Sequence, residues 1–135
     1  MAMIDVLQRG VLFANSDPAA QEMLADFTDH KVGMKLDGQE MTIIIKDGKV
    51  MIESGTREDC HAAMGMTTRD LCEAIDNSYD LMEIREKGEI LKGDKTDPNT
   101  AVHFMALFPY FDAMVRLYEQ DQEFKNAVDA VKAST

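Results

Sequence analysis

The plainest pattern of apolar and polar positions lies at residues 40–55, Glu-Met-Thr-Ile-Ile-Ile-Lys-Asp-Gly-Lys-Val-Met-Ile-Glu-Ser-Gly. Two apolar runs flank Asp47-Gly48, and this pair suits a two-residue hairpin turn because both central residues take positive φ, which Asp and Gly tolerate better than most. Register follows by counting outward: Lys46 faces Lys49, Ile45 faces Val50, Ile44 faces Met51, Ile43 faces Ile52 and Thr42 faces Glu53. Side chains alternate along a strand, so Met41, Ile43, Ile45, Val50 and Ile52 share one face and Thr42, Ile44, Lys46, Lys49, Met51 and Glu53 the other. The first face is the buried one. Its residues serve a plain core and a ligand site equally well.

Around the hairpin the period changes. Residues 1–30 predict two short helices broken at Ser-Asp-Pro-Ala-Ala, with Asp17 as N-cap and Pro18 in the first turn, where its missing amide costs nothing. Ala20, Met23, Leu24 and Phe27 then share one helical face, which is expected to lie on a sheet. Residues 33–37 predict a strand joined to the hairpin through Gly38. Residues 60–66 predict another, with Cys60, Ala62, Met64 and Met66 on one face and His61, Ala63 and Gly65 on the other; the small residues there either admit a close neighbour or leave space.

Thr67 or Thr68 starts a helix with Asp70 in its first turn and Leu71, Ala74 and Ile75 as its apolar stripe. A second short helix over Tyr-Asp-Leu-Met-Glu-Ile-Arg-Glu-Lys-Gly ends at Gly88, and Glu-Ile-Leu-Lys-Gly-Asp predicts a short strand. Asp97-Pro98 repeats the earlier helix start, and Pro109 ends or kinks that helix. A last segment puts Phe124, Ala127, Val128 and Val131 on one face; it extends the core, lids a ligand site or packs on a second copy of the chain. Helices, strands, short helices, a strand and helices in that order predict an α+β domain whose sheet is mostly antiparallel.

Length and composition set limits on this picture. The 135 residues predict one domain, 1–135, that buries about two-thirds of the surface its unfolded chain exposes. With 25 acidic against 14 basic residues the formal net charge is −11, which repels a nucleic-acid backbone, so nucleic acid is not an expected partner. No apolar run reaches the ~20 residues that span a bilayer, so no integral membrane association is expected, and the N-terminus has no secretory leader pattern, which points to the cytoplasm. Two cysteines make no disulfide framework.

Several chemical readings of the polar residues fail on spacing. Cys60, His61, Cys72 and His103 are of zinc-ligand type, but Cys60 and His61 are adjacent, and no Cys-x-x-Cys or His-x-x-x-His pair accompanies them, so no metal or cofactor is expected. Neither cysteine shows a feature that would lower its thiol pKa, and the chain is expected to be non-catalytic. The carboxylates of Glu-Ser-Gly-Thr-Arg-Glu-Asp read as a solvated face, and the glycines make no phosphate-cradling loop.

In sequence order, the hairpin Met-Thr-Ile-Ile-Ile-Lys-Asp-Gly-Lys-Val-Met-Ile-Glu-Ser-Gly, the strand leading into Thr-Thr-Arg-Asp-Leu-Cys-Glu-Ala-Ile, and Lys87, Gly88, Ile90, Lys92, Gly93 and Asp94 ahead of an apolar helix resemble the sterol carrier protein 2 family. The resemblance is strongest over 33–118, between N-terminal helices at 1–32 and a C-terminal helix at 119–135. It implies a five-stranded sheet covered by helices, with an apolar tunnel that holds a fatty acid, acyl chain, sterol-like or isoprenoid molecule. An alternative within the family is a non-catalytic accessory or scaffold protein using the same groove for a partner or a lipophilic biosynthetic intermediate.

Eleven methionines fit that picture, because unbranched, polarizable side chains repack around ligands of different shape. The expected ligand-binding positions are Ile43, Ile45, Ile52 and Met64 on the sheet and Phe104, Met105, Phe108 and Phe111 on the closing helices. An acidic head-group would meet Lys46, Lys49 or Lys92. A homodimer is compatible with the C-terminal stripe.

Overall fold

The computed structural model describes residues 2–94 and 96–135. Helices α1 (Met3–Ala14) and α2 (Pro18–Leu24) precede strands β1 (His30–Leu36), β2 (Gln39–Lys46), β3 (Lys49–Ser54) and β4 (Ala62–Met66). Helix α3 (Thr68–Ile75) follows, then a 3-10 turn (Leu81–Glu83) running into α4 (Ile84–Lys87), strand β5 (Glu89–Lys92) and helices α5 (Pro98–Met105), α6 (Phe108–Gln120) and α7 (Gln122–Ala133). The five strands form one sheet in the order β3-β2-β1-β4-β5. It is antiparallel throughout except for the central β1–β4 pair, which is parallel.

The β2–β3 hairpin has the register the alternation predicts, from Lys46 opposite Lys49 to Thr42 opposite Glu53. Its turn residues Asp47 and Gly48 stand at φ 53° and 76°, and the same chemistry at Asp37-Gly38, φ 49° and 91°, joins β1 to β2. The inward face joins Val32, Met34 and Leu36 to Met41, Ile43, Ile45 and Val50, all buried.

Thr42 of the outward face is buried as well, because the segment 55–61 folds back over it. Thr42 Oγ1 donates to the Gly55 carbonyl at 2.8 Å and accepts from the Arg57 amide at 3.0 Å. Cys60 lies before β4 on this outer side, 3.8 Å from Thr42 Oγ1, so it does not share a face with Met64 as the strict alternation predicts. The small residues Gly33 and Ala63 receive this covering: a Cβ added at Gly33 would stand 3.0 Å from the Thr56 methyl and 3.1 Å from the Ala63 methyl.

Helices cover the inner face. The expected caps close them: the side chains of Asp17, Thr67 and Asp97 accept from Ala20, Asp70 and Asn99 amides. Helix α1 packs on β3 and α6, and it approaches α6 so closely that a Cβ at Gly10 would stand 2.6 Å from Met114. Helix α2 packs on α6 and stops at Leu24, short of Phe27, so the predicted face on the sheet is in fact taken by α1. Helix α7 packs its buried Phe124, Ala127, Val128 and Val131 against α3, α6 and α1.

Arg116 of α6 ties α2 to the bundle, reaching Asp17 at 2.7 Å and Asp112 at 3.1 Å. Burial pushes the Asp17 carboxyl up, but the Arg116 hydrogen bond, the Ala20 amide and the Arg116 charge outweigh it and hold the group below its ordinary value. Because a depressed carboxylate pKa stabilises the fold above the unfolded value and the effect is lost as pH falls through it, the Arg116 contribution belongs to neutral pH. Arg116→Met is expected to cost about 2 kcal/mol at pH 7, the size of a lost charge-assisted hydrogen bond. In urea titrations of both proteins the gap should persist to pH 5 and close below pH 4; a gap that stays constant to pH 3 would contradict it.

Candidate functional site

Between the sheet and the helices lies an open pocket of about 440 Å³ that no residue of α7 lines. Helix α2 contributes Met23, the turn after it Asp26 and Phe27, and the sheet Met64 of β4. The 3-10 turn and α4 supply Leu81, Met82, Ile84 and Arg85. The α5–α6 junction supplies Phe104, Met105, Leu107, Phe108, Pro109 and Phe111.

Local chemistry explains this wall. Pro109 cannot continue α5, so the chain breaks there and restarts as α6 with the proline in its first turn. The break places Phe104 and Met105 from one helix beside Phe108 and Phe111 from the next. Asp80 similarly starts the 3-10 turn by accepting from the Met82 amide at 2.9 Å, which leaves Met82 71% exposed at the rim. Met105, 55% exposed, stands on the other rim.

Of the eight residues expected at a ligand site, Met64, Phe104, Met105, Phe108 and Phe111 are brought together in this lining. Ile43, Ile45 and Ile52 are not: they sit on the β2–β3 half of the sheet, where α1 packs on β3, with Ile43 and Ile45 fully buried in the core. The hairpin's apolar face therefore covers other side chains. Sequence reasoning did not assign Phe27, Leu81 or Ile84 to the lining, although Met23 and Phe27 stood out as part of an apolar helical stripe. The lysines expected near a head-group also lie elsewhere. Lys49 bonds Asn15 and Gln21, and Lys92 bonds the Glu58 and Cys60 carbonyls. Arg85 is the cation of the lining and Asp26 its carboxylate.

The reactive residue types are arranged for packing. Cys72 is fully buried, 3.9 Å from the Met3 sulfur, and burial, with Asp76 nearby, pushes its thiol up to about 11, the reverse of an activated nucleophile. Among the described residues no group of three or more His, Cys, Asp or Glu side chains is placed to hold a metal ion. His103 of α5 instead meets the other two histidines, with its Nδ1 2.8 Å from Nδ1 of His30 and its ring stacked 4.6 Å from that of His61. Among the described residues no helix is long and apolar enough to cross a membrane.

Sheet order, helix placement and pocket define an α+β fold with an apolar site between sheet and helices. No protein-family model and no curated protein sequence matches the chain. Solved structures do. The ubiquinone synthesis protein UbiJ-SCP2 superposes with a TM-score of 0.57 at 12% identity, over 87% of this chain and 92% of that one. A conserved hypothetical protein of Thermus thermophilus, described as a candidate sterol carrier protein, gives 0.55 at 12% identity over 84% and 86%. A crystal structure of sterol carrier protein 2 gives 0.51 at 14% identity over 95% and 94%. The chain is an SCP2-like domain in its fold, as its order of elements implies.

Proposed function

We propose that the protein is a carrier or binding module that holds one lipidic small molecule, a fatty acid, acyl chain, sterol-like or isoprenoid molecule, in the pocket between β4, α4 and the α5–α6 junction. One observation carries this reading: a site of about 440 Å³ whose walls are almost wholly Met, Phe, Leu and Ile, on a fold shared with sterol carrier protein 2. Pockets of ~300–1,000 Å³ with such walls and few polar groups are typical of small-molecule sites. Dispersion and burial supply the affinity. Ten methylenes moved from water contribute roughly 8 kcal/mol at ~0.8 each, before the costs of ordering the chain. The lining carries one cation, Arg85, and one carboxylate, Asp26, so the reading assigns most of the affinity to the apolar chain.

A second reading has its own support. The exposed rim methionines Met82 and Met105, together with the similarity to a ubiquinone synthesis protein, suit an accessory protein that presents a lipophilic biosynthetic intermediate to a partner. Native mass spectrometry of the purified protein, followed by solvent extraction, separates these readings. The carrier reading expects one small lipidic molecule per chain, or one-to-one uptake of an added long-chain fatty acid or isoprenoid alcohol. A chain that takes up no lipid alone overturns it and leaves the partner-dependent role.

A further inference from the structure

The chain has three histidines, and the fold gathers all of them at one end of the sheet. His30 opens β1 and is buried, His61 precedes β4, and His103 lies on α5 immediately before the pocket residues Phe104 and Met105. Nδ1 of His30 and Nδ1 of His103 are 2.8 Å apart. The His61 ring stacks on His103 at 4.6 Å, and its own Nδ1 accepts from the Lys31 amide at 3.0 Å, which puts its proton on Nε2. Phe27, a pocket residue, meets His30 edge-on at 5.8 Å.

A hydrogen bond between two Nδ1 atoms needs one N–H and one bare lone pair. It survives the first proton added to the pair and fails with the second, which would set two N–H donors and two positive charges against each other. Helix α5 is poorly held otherwise. It buries only Thr100 and Phe104, while Val102 and Met105 are about half exposed. Sparse burial of this kind marks elements that open locally at low free-energy cost.

We propose that His30, His61 and His103 form a proton-operated latch on the lipid pocket. With the His30–His103 bond intact, α5 is held to the end of the sheet and Phe104 and Met105 close the pocket wall. When both imidazoles of the pair carry protons the bond breaks, α5 leaves the sheet, and the pocket opens to release its ligand. The inference rests on the lipid-binding reading for what is released, though not for the motion itself.

Neighbouring charges set where the latch trips. Burial, and then the nearby His61, hold His30 below the ordinary histidine value, against the pull of Asp29. Burial, then His61 and His30, do the same to His103, against Asp97 at the α5 N-cap. From β1, the Lys31 ammonium is paired with Asp59 at 3.2 Å; from β5, Lys92 is taken up by the carbonyls of Glu58 and of Cys60, the residue before His61. A histidine pKa lowered on folding stabilises the closed form above the ordinary value and loses that effect as pH falls through it, so opening belongs to the range from about 6.5 downward.

The test uses diphenylhexatriene, an uncharged probe whose own ionisation does not enter, bound to the full chain and released to phosphatidylcholine vesicles in a stopped-flow instrument. The dissociation rate should rise at least tenfold from pH 7.5 to pH 5.0. His103→Gln keeps a hydrogen-bonding side chain but cannot charge, so its rate should change less than twofold over that range. A flat wild-type profile, or the same acceleration in His103→Gln, overturns the latch. Amide hydrogen exchange of the unliganded wild-type protein reads the motion without any lipid. Protection of residues 101–105 should fall at least tenfold from pH 7.5 to 5.0 while α6 keeps its protection, and unchanged protection of α5 overturns the proposal. If diphenylhexatriene fails to bind at any pH, the lipid reading falls and the exchange result alone decides the latch.

Discussion

Ending the chain at Gln120 is expected to give a protein with no cooperative unfolding transition. Three of the side chains lost, Phe124, Val128 and Val131, are at most 4% exposed, and full burial of such a residue contributes about 1.5–3 kcal/mol. Together they approach the ~5–15 kcal/mol that is the whole stability of a typical domain. The truncation also uncovers the faces of α1, α3 and α6 on which α7 rests and removes Lys132, whose ammonium sits 2.8 Å from Asp76. Helix α7 contributes nothing to the pocket wall, so it serves the core and not as a lid. Thermal melts followed by circular dichroism check this; a truncated chain that melts cooperatively near the full-length temperature, with only its probe exchange accelerated, would restore the lid reading.

Phe108→Asp is expected to do the opposite, sparing the fold and abolishing binding. Phe108 is the first residue of α6 after its N-cap, Leu107, and is only partly buried. A carboxylate at a helix N-terminus meets the positive end of the helix dipole, which contributes roughly 0.3–1 kcal/mol and offsets part of the lost packing. In the pocket the same carboxylate faces Phe104, Phe111 and Met105, where an acyl chain would have to strip its water without offering a partner. Binding of a long-chain fluorophore should weaken by a factor of 100 or more while the melting temperature moves by a few degrees. Unchanged affinity in a folded variant would remove the pocket from the account.

Much of this architecture was legible because it is set by local rules. The Asp47-Gly48 turn fixed the hairpin register residue by residue, Thr67 and the two Asp-Pro pairs announced α2, α3 and α5, and Pro109 announced the break that shapes the pocket wall. What local rules leave open is which helix lands on which part of the sheet. Ile43, Ile45 and Ile52 look as suitable for a ligand as Met64 does; the difference is that α1 packs on the edge strand β3 at that end of the sheet, and this depends on contacts such as Gly10 against Met114 between residues about a hundred positions apart. The histidine cluster was hidden for the same reason. His30, His61 and His103 have no informative spacing, and only the parallel β1–β4 pairing with α5 laid across it brings them into contact.

The methionines allow the most direct measurement of where a ligand sits. With ¹³C-methyl methionine incorporated, each methyl gives its own NMR signal, and the four in the pocket lining, Met23, Met64, Met82 and Met105, are distributed over all its walls. Met41 on the hairpin, Met51 on the outer face and Met114 between α1 and α6 lie away from it. Titration with a long-chain fatty acid or isoprenoid alcohol should shift the first four at one equivalent and leave the last three in place. Shifts confined to Met41, Met51 or Met114, or no shift at saturating lipid, would contradict a lipid site in this pocket.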